Sequence, residues 1–405
     1  MTESTTAPPA VELERVLDGA RHMYDESVDF TLGVEEEFAI CDPTTFGLVN
    51  RYEDVREQAI EDGFEDAVCG ELLASEVEFR TGRCETYAEA TRQVLASRAG
   101  VTGVMQKLGL AAASSGTHAF ADYREQQKID SPYYRRLVER LQYVAHRNNT
   151  FGLHVHVGVQ GADRAIAIAD ALRAYVPELL ALSASSPFLD ARDSGLASAR
   201  AMTFSRTFPR GSLAPAFGDM DGYLNYVRYL QSVGSIESYG QMWWSVRPHA
   251  MWGTIEFRMF DGQPDVRDTL ALTAVARGLV ALLAERHDAG DLGEPLPAHL
   301  VEENFWRATR YGTAGDFIDI PNARTEPADE RIARLVEEVR GAANRADLGL
   351  ETGLDRALAM LERGTQASLL RQVYERTGSL TAVMAEVAEQ TMAPVDALAG
   401  VRPGR

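Results

Sequence analysis

The chain has almost no lysine. Among its 405 residues only Lys107 and Lys128 carry an ammonium side chain, so arginine supplies nearly all of the 40 basic residues. Acidic residues number 60, and the formal net charge is -20. A nucleic-acid binder needs a basic stripe, and none is present; the same deficit disfavours anionic membranes as partners. A GC-rich genome or adaptation to high salt would each produce this bias, and abundant Ala and Gly favour the first. Cysteine is scarce as well. Cys41, Cys69 and Cys84 form no CxxC pair and are odd in number, which argues against a disulfide framework and a zinc cluster and suits a reducing cytosol. Long apolar runs are missing: the most apolar stretch, Leu270 to Ala284, is interrupted by Arg277 and is too short to span a bilayer. Residues 1–10 lack the basic start and apolar stretch of a secretion signal and are expected to be disordered. No Walker A sequence, no GxGxxG after a strand, no internal repeat and no low-complexity tract occurs. These absences point to a soluble cytoplasmic protein, and 45% hydrophobic content is enough for a large core.

What is present is one pattern, three times. Gly33-Val34-Glu35-Glu36-Glu37-Phe38, Gly152-Leu153-His154-Val155-His156-Val157-Gly158 and Thr254-Ile255-Glu256-Phe257-Arg258-Met259 are short β-type segments. Each carries two charged or metal-binding side chains two residues apart, which places both on one face of a strand. Taken singly, each has a plain reading. Glu35 and Glu37 suit a solvated strand face, with Glu36 on the other side as a surface or salt-bridge residue. One His on a strand is usually a hydrogen-bonded structural group, and HxH also occurs in zinc hydrolases. Glu256 and Arg258 resemble a surface ion pair. Taken together they describe an oxygen-rich wall with imidazole, which suits Mg²⁺ or Mn²⁺ better than zinc. Asp261 follows the third segment and Arg247-Pro248 precedes it. A ligating carboxylate beside planar arginine forks is what phosphoryl transfer requires.

Along the chain, strands are expected at Phe30 to Cys41, Glu76 to Thr81, Ala111 to Gly116 and Gly152 to Val159. A hairpin of Trp243 to Pro248 and Thr254 to Phe260 is expected across His249 to Gly253. Helices are expected at Val11 to Tyr24, Glu85 to Leu108, Pro132 to Arg147, Ala162 to Ser185 with a break near Pro177, and Asp265 to Arg286. From about Leu300 the pattern reads as helical throughout. Arg200 to Pro215 is irregular and reads as an active-site loop. This spacing predicts an α+β fold with one antiparallel or mixed sheet. The expected divisions are a tail and short helix over 1–25, a catalytic domain over 26–320, and a helical region over 321–405 packed on it.

Eight segments resemble the type 2 glutamate–cysteine ligases, also called carboxylate–amine ligases. They are FTLGVEEEF at 30–38, SEVEFRTGRCE at 75–85, SGTHAF at 115–120, HRNNTFGLHVHVGV at 146–159, ALSASSPF at 181–188, GLASARAMTF at 195–204, WSVRPHAMWGTIEFRMFD at 244–261 and RATRYG at 307–312. They stand in family order over about Phe30 to Gly378. The resemblance implies a glutamine-synthetase-like core, a curved and mainly antiparallel sheet forming a funnel, surrounded by helices, with two or three Mg²⁺ or Mn²⁺ ions. It implies that Glu35, His154 and Glu256 hold one ion and Glu37 and Glu78 another, with His156 a further ligand or a neighbour of one. Arg247 and Arg258 would clamp the transferring phosphoryl group, and Arg200 would bind the amino-acid carboxylate. The implied reaction joins glutamate to cysteine at the expense of ATP through a γ-glutamyl phosphate, with loops 201–220 and 236–243 as candidates for a lid. No motif reads a thiol, so another amine stands as an alternative acceptor. An HxH metal-dependent hydrolase and a non-catalytic binding protein are the alternatives from other classes. The expected partners are small molecules; a homo-oligomer is compatible with a sequence that is silent on assembly.

Overall fold

Alternation along residues 32–41 becomes strand β1 (Leu32–Cys41) in the computed structural model, which describes residues 9–395. Leu32, Val34, Phe38 and Ile40 point into the core, and Glu35 and Glu37 point the other way. Six more strands join it: β2 (Val68–Cys69), β3 (Glu76–Arg80), β4 (Ala111–Ala113), β5 (Gly152–Gly158) and, after the separate hairpin β6 (Phe188–Leu189) and β7 (Arg192–Asp193), β8 (Val246–His249) and β9 (Thr254–Asp261). The order is β2-β3-β1-β5-β9-β8, with β4 on the far end of β1, and every pairing is antiparallel.

Helices pack around the sheet. They are α1 (Pro9–Asp25), α2 (Tyr52–Glu61), α3 (Tyr87–Lys107), α4 (Pro132–Leu141), α5 (Tyr143–Arg147), α6 (Ala162–Leu172), α7 (Val176–Ser183), α8 (Met220–Ser232), α9 (Val266–Asp288) and α10 (Ala298–Tyr311). Then come α11 (Ala328–Arg345), α12 (Glu351–Arg363), α13 (Gln366–Thr377) and α14 (Leu380–Thr391). One large apolar cluster joins Val34, Leu153, Val155, Ile255 and Phe257 of the sheet to α9 and to Ile332, Val336, Leu354 and Met360 of α11 and α12. Helix α9 is buried along most of its length. Its Arg277 lies in this interior without a carboxylate. Instead it donates to three backbone carbonyls, of Phe30 (2.8 Å), Leu348 (3.2 Å) and Glu85 (3.1 Å), which tie distant segments together. No described helix is long and apolar enough to cross a membrane.

Glu36 is the one acid on the core side of β1. Arg98 of α3 meets it with Nη2 at 2.7 Å and Nε at 3.0 Å, and Thr269 Oγ1 donates to it at 2.7 Å. Of the two plain readings, salt bridge is right and surface is wrong, because both partners are buried.

The α+β class, the antiparallel sheet and the helical C-terminal region are as expected. Three local expectations change and one holds. Residues 1–8, expected to be disordered, lie outside the described residues, and Pro9 and Ala10 already belong to α1. The helix expected over 132–147 is broken at Gln142, whose φ is 49°. The break near Pro177 is real and takes the form of a 3₁₀ turn at Arg173–Tyr175. The region after Leu300 is not helical throughout: β10 (Asp316–Asp319) and β11 (Arg324–Pro327) form a hairpin across the boundary expected at 320.

Candidate active site

Strand register explains why the three pairs meet. Glu35 lies opposite His154, Glu37 opposite Glu78, His156 opposite Glu256, and Arg247 opposite Glu256. Residues directly opposed on antiparallel strands have adjacent side chains, so five strands deliver their polar groups to one patch. Near His154 the β5–β9 register shifts by one, with Leu153 opposite Phe260 and Val155 opposite Phe257. This bulge keeps Phe257 and Phe260 on the same side, stacked with ring centroids 6.1 Å apart, and turns Asp261 with Arg258 to the polar side.

The sheet therefore assembles two ligand sets. Glu35, His154 and Glu256 bring ligand atoms within 4.8 Å of one another, and so do Glu37, Glu78 and His154. His154 Nδ1 is 3.1 Å from Glu35, and its Nε2 is 3.8 Å from Glu37. His156 stands beside the first set and belongs to neither: its Nδ1 is 3.0 Å from Thr254 Oγ1, and its Nε2 is 3.5 Å from Glu35 and 3.8 Å from Glu256. The Nε2 atoms of both histidines are buried without a hydrogen-bond partner. Arg247 Nε and Arg258 Nη1 each lie 2.5 Å from Glu256. Arg200 is buried, with Nη1 donating to the Arg258 carbonyl at 3.2 Å and Nε unpartnered.

Charge is unevenly distributed over this patch. Burial alone would raise Glu35, but the hydrogen bond from His154 and the nearby His156 ring hold it well below the usual carboxylate range. Burial acts likewise on Glu256, and Arg247 and Arg258 outweigh it. On the β3 side the balance reverses. Burial, reinforced by neighbouring carboxylates, pushes Glu76 and Glu78 well above the usual range and Glu71 up to about 8. Burial, aided by Arg258, lowers His154 and so keeps its imidazole neutral and able to ligate. Crowded carboxylates held partly protonated, next to imidazole nitrogens lacking partners, are a donor set that accommodates hard divalent cations.

Three cavities adjoin the patch: one of about 840 Å³ lies beside Glu71 and Glu78, and two flank the histidines. Of these two, one, of about 230 Å³, is lined by Glu37, Glu71, Glu76, His154, Arg200, Arg247 and Arg258, with Tyr133, Tyr134, Phe204 and Trp243 around it. The other, of about 450 Å³, is lined by Glu35, His156, Thr254, Arg80 and Trp252. Trp252 stacks on His249 at 4.4 Å, and both rings contact His156. All nine expected site residues thus lie in one patch. Reading the sequence missed Glu71, Glu76, His249 and Trp252. Glu76 carried a signal, because it and Glu78 repeat the same-face spacing that marked the other three strands. Glu71 lies in a loop and carries none. Of the candidate lid segments, 201–205 is a single π-helical turn, and Phe204, Phe208, Gly240 and Trp243 line the cavity of about 230 Å³.

Comparison with known proteins adds an independent finding. The model of "Glutamate-cysteine ligase family 2(GCS2)" matches residues 31–386. A provisionally named glutamate–cysteine ligase 2-1 from Rubrobacter xylanophilus is 38% identical over 362 residues, 89% of this chain and 95% of that protein. The glutamate–cysteine ligase of Haloferax volcanii is 36% identical over 361 residues, 86% of this chain and 93% of that one. Among solved structures, the glutamate–cysteine ligase of Francisella tularensis in complex with AMP superposes with a TM-score of 0.69 at 11% identity. It covers 91% of this chain and 89% of that one, a likeness of fold.

Proposed function

The chain belongs to glutamate–cysteine ligase family 2, and from that membership we propose that it is an ATP-dependent carboxylate–amine ligase joining glutamate to cysteine. One observation carries the reading: two carboxylate–imidazole sets lie beside a cavity lined by three arginines and a second cavity lined by Glu35 and His156, as a reaction joining two substrates through a phosphoryl transfer requires. The nucleotide is assigned to the cavity of about 450 Å³ and the acyl donor to that of about 230 Å³.

In this reading Glu35, His154 and Glu256 would hold one Mg²⁺ or Mn²⁺ ion and Glu37 and Glu78 another, with His156 alongside. Bound there, such ions neutralise phosphate oxygens as charge develops. Arg200 orients the donor through its carboxylate. The donor's γ-carboxylate oxygen bonds to the terminal phosphorus of ATP, and the bond to the ADP oxygen breaks. Arg247 and Arg258 stabilise the transferring group, with Glu256 holding both guanidinium planes in place. The acceptor's amine nitrogen then bonds to the acyl carbon and phosphate leaves. Phe204, Phe208 and Trp243 keep water from the acyl phosphate meanwhile. Residues 26–320 carry the chemistry and 321–395 brace it through the shared core. The free cysteines suit the reducing setting of the cytoplasm.

The test is ADP release and product mass with Mg²⁺, ATP and glutamate against a panel of amines. Glutamate-dependent ADP formation that is greatest with cysteine is expected, and a different best acceptor would relocate the enzyme within its family. No nucleotide turnover with any acceptor would remove the assignment. Replacing Glu256→Gln should lower turnover by about 100-fold or more while leaving the circular dichroism spectrum unchanged.

A further inference from the structure

Arg200 is held by a seat that the reaction itself does not use. At the end of β9, Asp261 is fully buried and accepts from Ser186 Oγ at 2.6 Å, Ser198 Oγ at 2.8 Å and the Ser185 N–H at 2.9 Å. The two hydroxyls pass this anchorage to the segment bearing Arg200. Ser186 Oγ accepts from the Arg200 N–H at 3.2 Å, and Ser198 Oγ accepts from the Ala201 N–H at 3.0 Å. One carboxylate therefore pins three stretches of chain, 185–186, 198–201 and the end of β9. Opposite charge adds to this, since Arg200 counters the burial that raises the Asp261 carboxyl.

Glycine makes the other half of the seat. A Cβ at Gly152 would overlap Arg200 Nη2 and stand 2.9 Å from its Cζ, and a Cβ at Gly116 would stand 2.5 Å from Asp261 Cγ. Gly152 also donates its N–H to Glu37 Oε2. The guanidinium thus lies flat against bare β5 backbone, beside a proposed ligand of the metal. Its position is fixed from below by Gly152 and from behind by Asp261 and two serines.

We propose that Asp261, Ser186, Ser198 and Gly152 are positioning residues that set the Arg200 guanidinium at the height needed to take the carboxylate of the amino-acid donor. This rests on the reading of Arg200 given above. Steady-state kinetics with varied glutamate and varied ATP tests it in Gly152→Ala and Ser198→Ala, each also combined with Arg200→Lys. Gly152→Ala is the cleaner probe, because the added methyl meets the free end of a long side chain and the fold can absorb it. We expect glutamate KM to rise about tenfold, the scale of one charge-assisted hydrogen bond, with ATP KM and the urea midpoint little changed. In the Arg200→Lys background both substitutions should lose most of their effect, a coupling that general loosening of the fold would not produce. Unchanged glutamate KM in both variants, or full additivity with Arg200→Lys, overturns the proposal while leaving the ligase reading standing. A parent protein with no glutamate-dependent turnover overturns that reading, and the proposal with it.

Discussion

Two backbone N–H groups, from Phe120 and Ala121, donate to Nδ1 of buried His118 at 3.3 and 3.0 Å, and its Nε2–H donates to the Phe46 carbonyl at 2.7 Å. Nδ1 has no place for a proton, and burial pushes this imidazole down to about 4 from 6.5. Below pH 6.5 the unfolded chain takes up a proton that the folded chain refuses until near pH 4. Stability is therefore present in full above pH 6.5 and falls as pH drops through that window, by about 3 kcal/mol at its lower end. His118→Gln should flatten this part of a melting-temperature profile; parallel profiles for parent and variant would show that other groups govern acid lability. The same residue shows what a sequence can and cannot disclose. His154 and His156 were legible as functional because strand periodicity put them on one face. His118 stands alone in its motif, and only its three hydrogen bonds assign it a structural task. Glu71 is a similar case in the opposite direction, since its perturbation comes from burial, reinforced by Glu37 and Glu35, which lie on another segment.

Among the elements, those with strong periodicity and clear ends were readable. Strand β5 is bounded by Gly152 and Gly158, and the turn between β8 and β9 contains Gly253 with a φ of 62°. Helix α2 escaped notice because only Tyr52, Val55 and Ala59 are buried, too narrow a stripe to stand out. The β9 bulge escaped because a parity switch leaves composition untouched. The break between α4 and α5 is also invisible locally, since Gln142 is an ordinary helix former. Its φ of 49° with ψ of -121° is a backbone region that glycine occupies far more easily. Gln142→Gly should raise the unfolding free energy by about 1 kcal/mol in a urea titration. A loss of stability would mean that the Gln142 side chain, which donates to the Glu139 carbonyl, outweighs the relief of strain.

At the scale of the whole molecule, the apolar interior does not divide at residue 320. Ile332, Val336, Leu354 and Met360 share a core with the sheet, and buried Asp268 of α9 receives Arg356 (2.8 Å), Gln366 (3.0 Å) and Arg363 from α12 and α13. A chain ending at residue 320 would expose that face of α9 and strip Asp268 of both arginines. It should lack a cooperative thermal transition and bind apolar dyes; a sharp two-state melt would instead establish an independent catalytic unit. Architecture of this kind also constrains how the gene can vary. Along β1 a single acid, Glu36, looks inward to Arg98 while its two neighbours look outward to the candidate site. Gaining or losing one codon within that strand would exchange the two outlooks, stranding Arg98 and driving both outer carboxylates into hydrocarbon. Length changes during descent are therefore tolerable in the turn at residues 42–51, and forbidden in odd steps anywhere between residues 33 and 38.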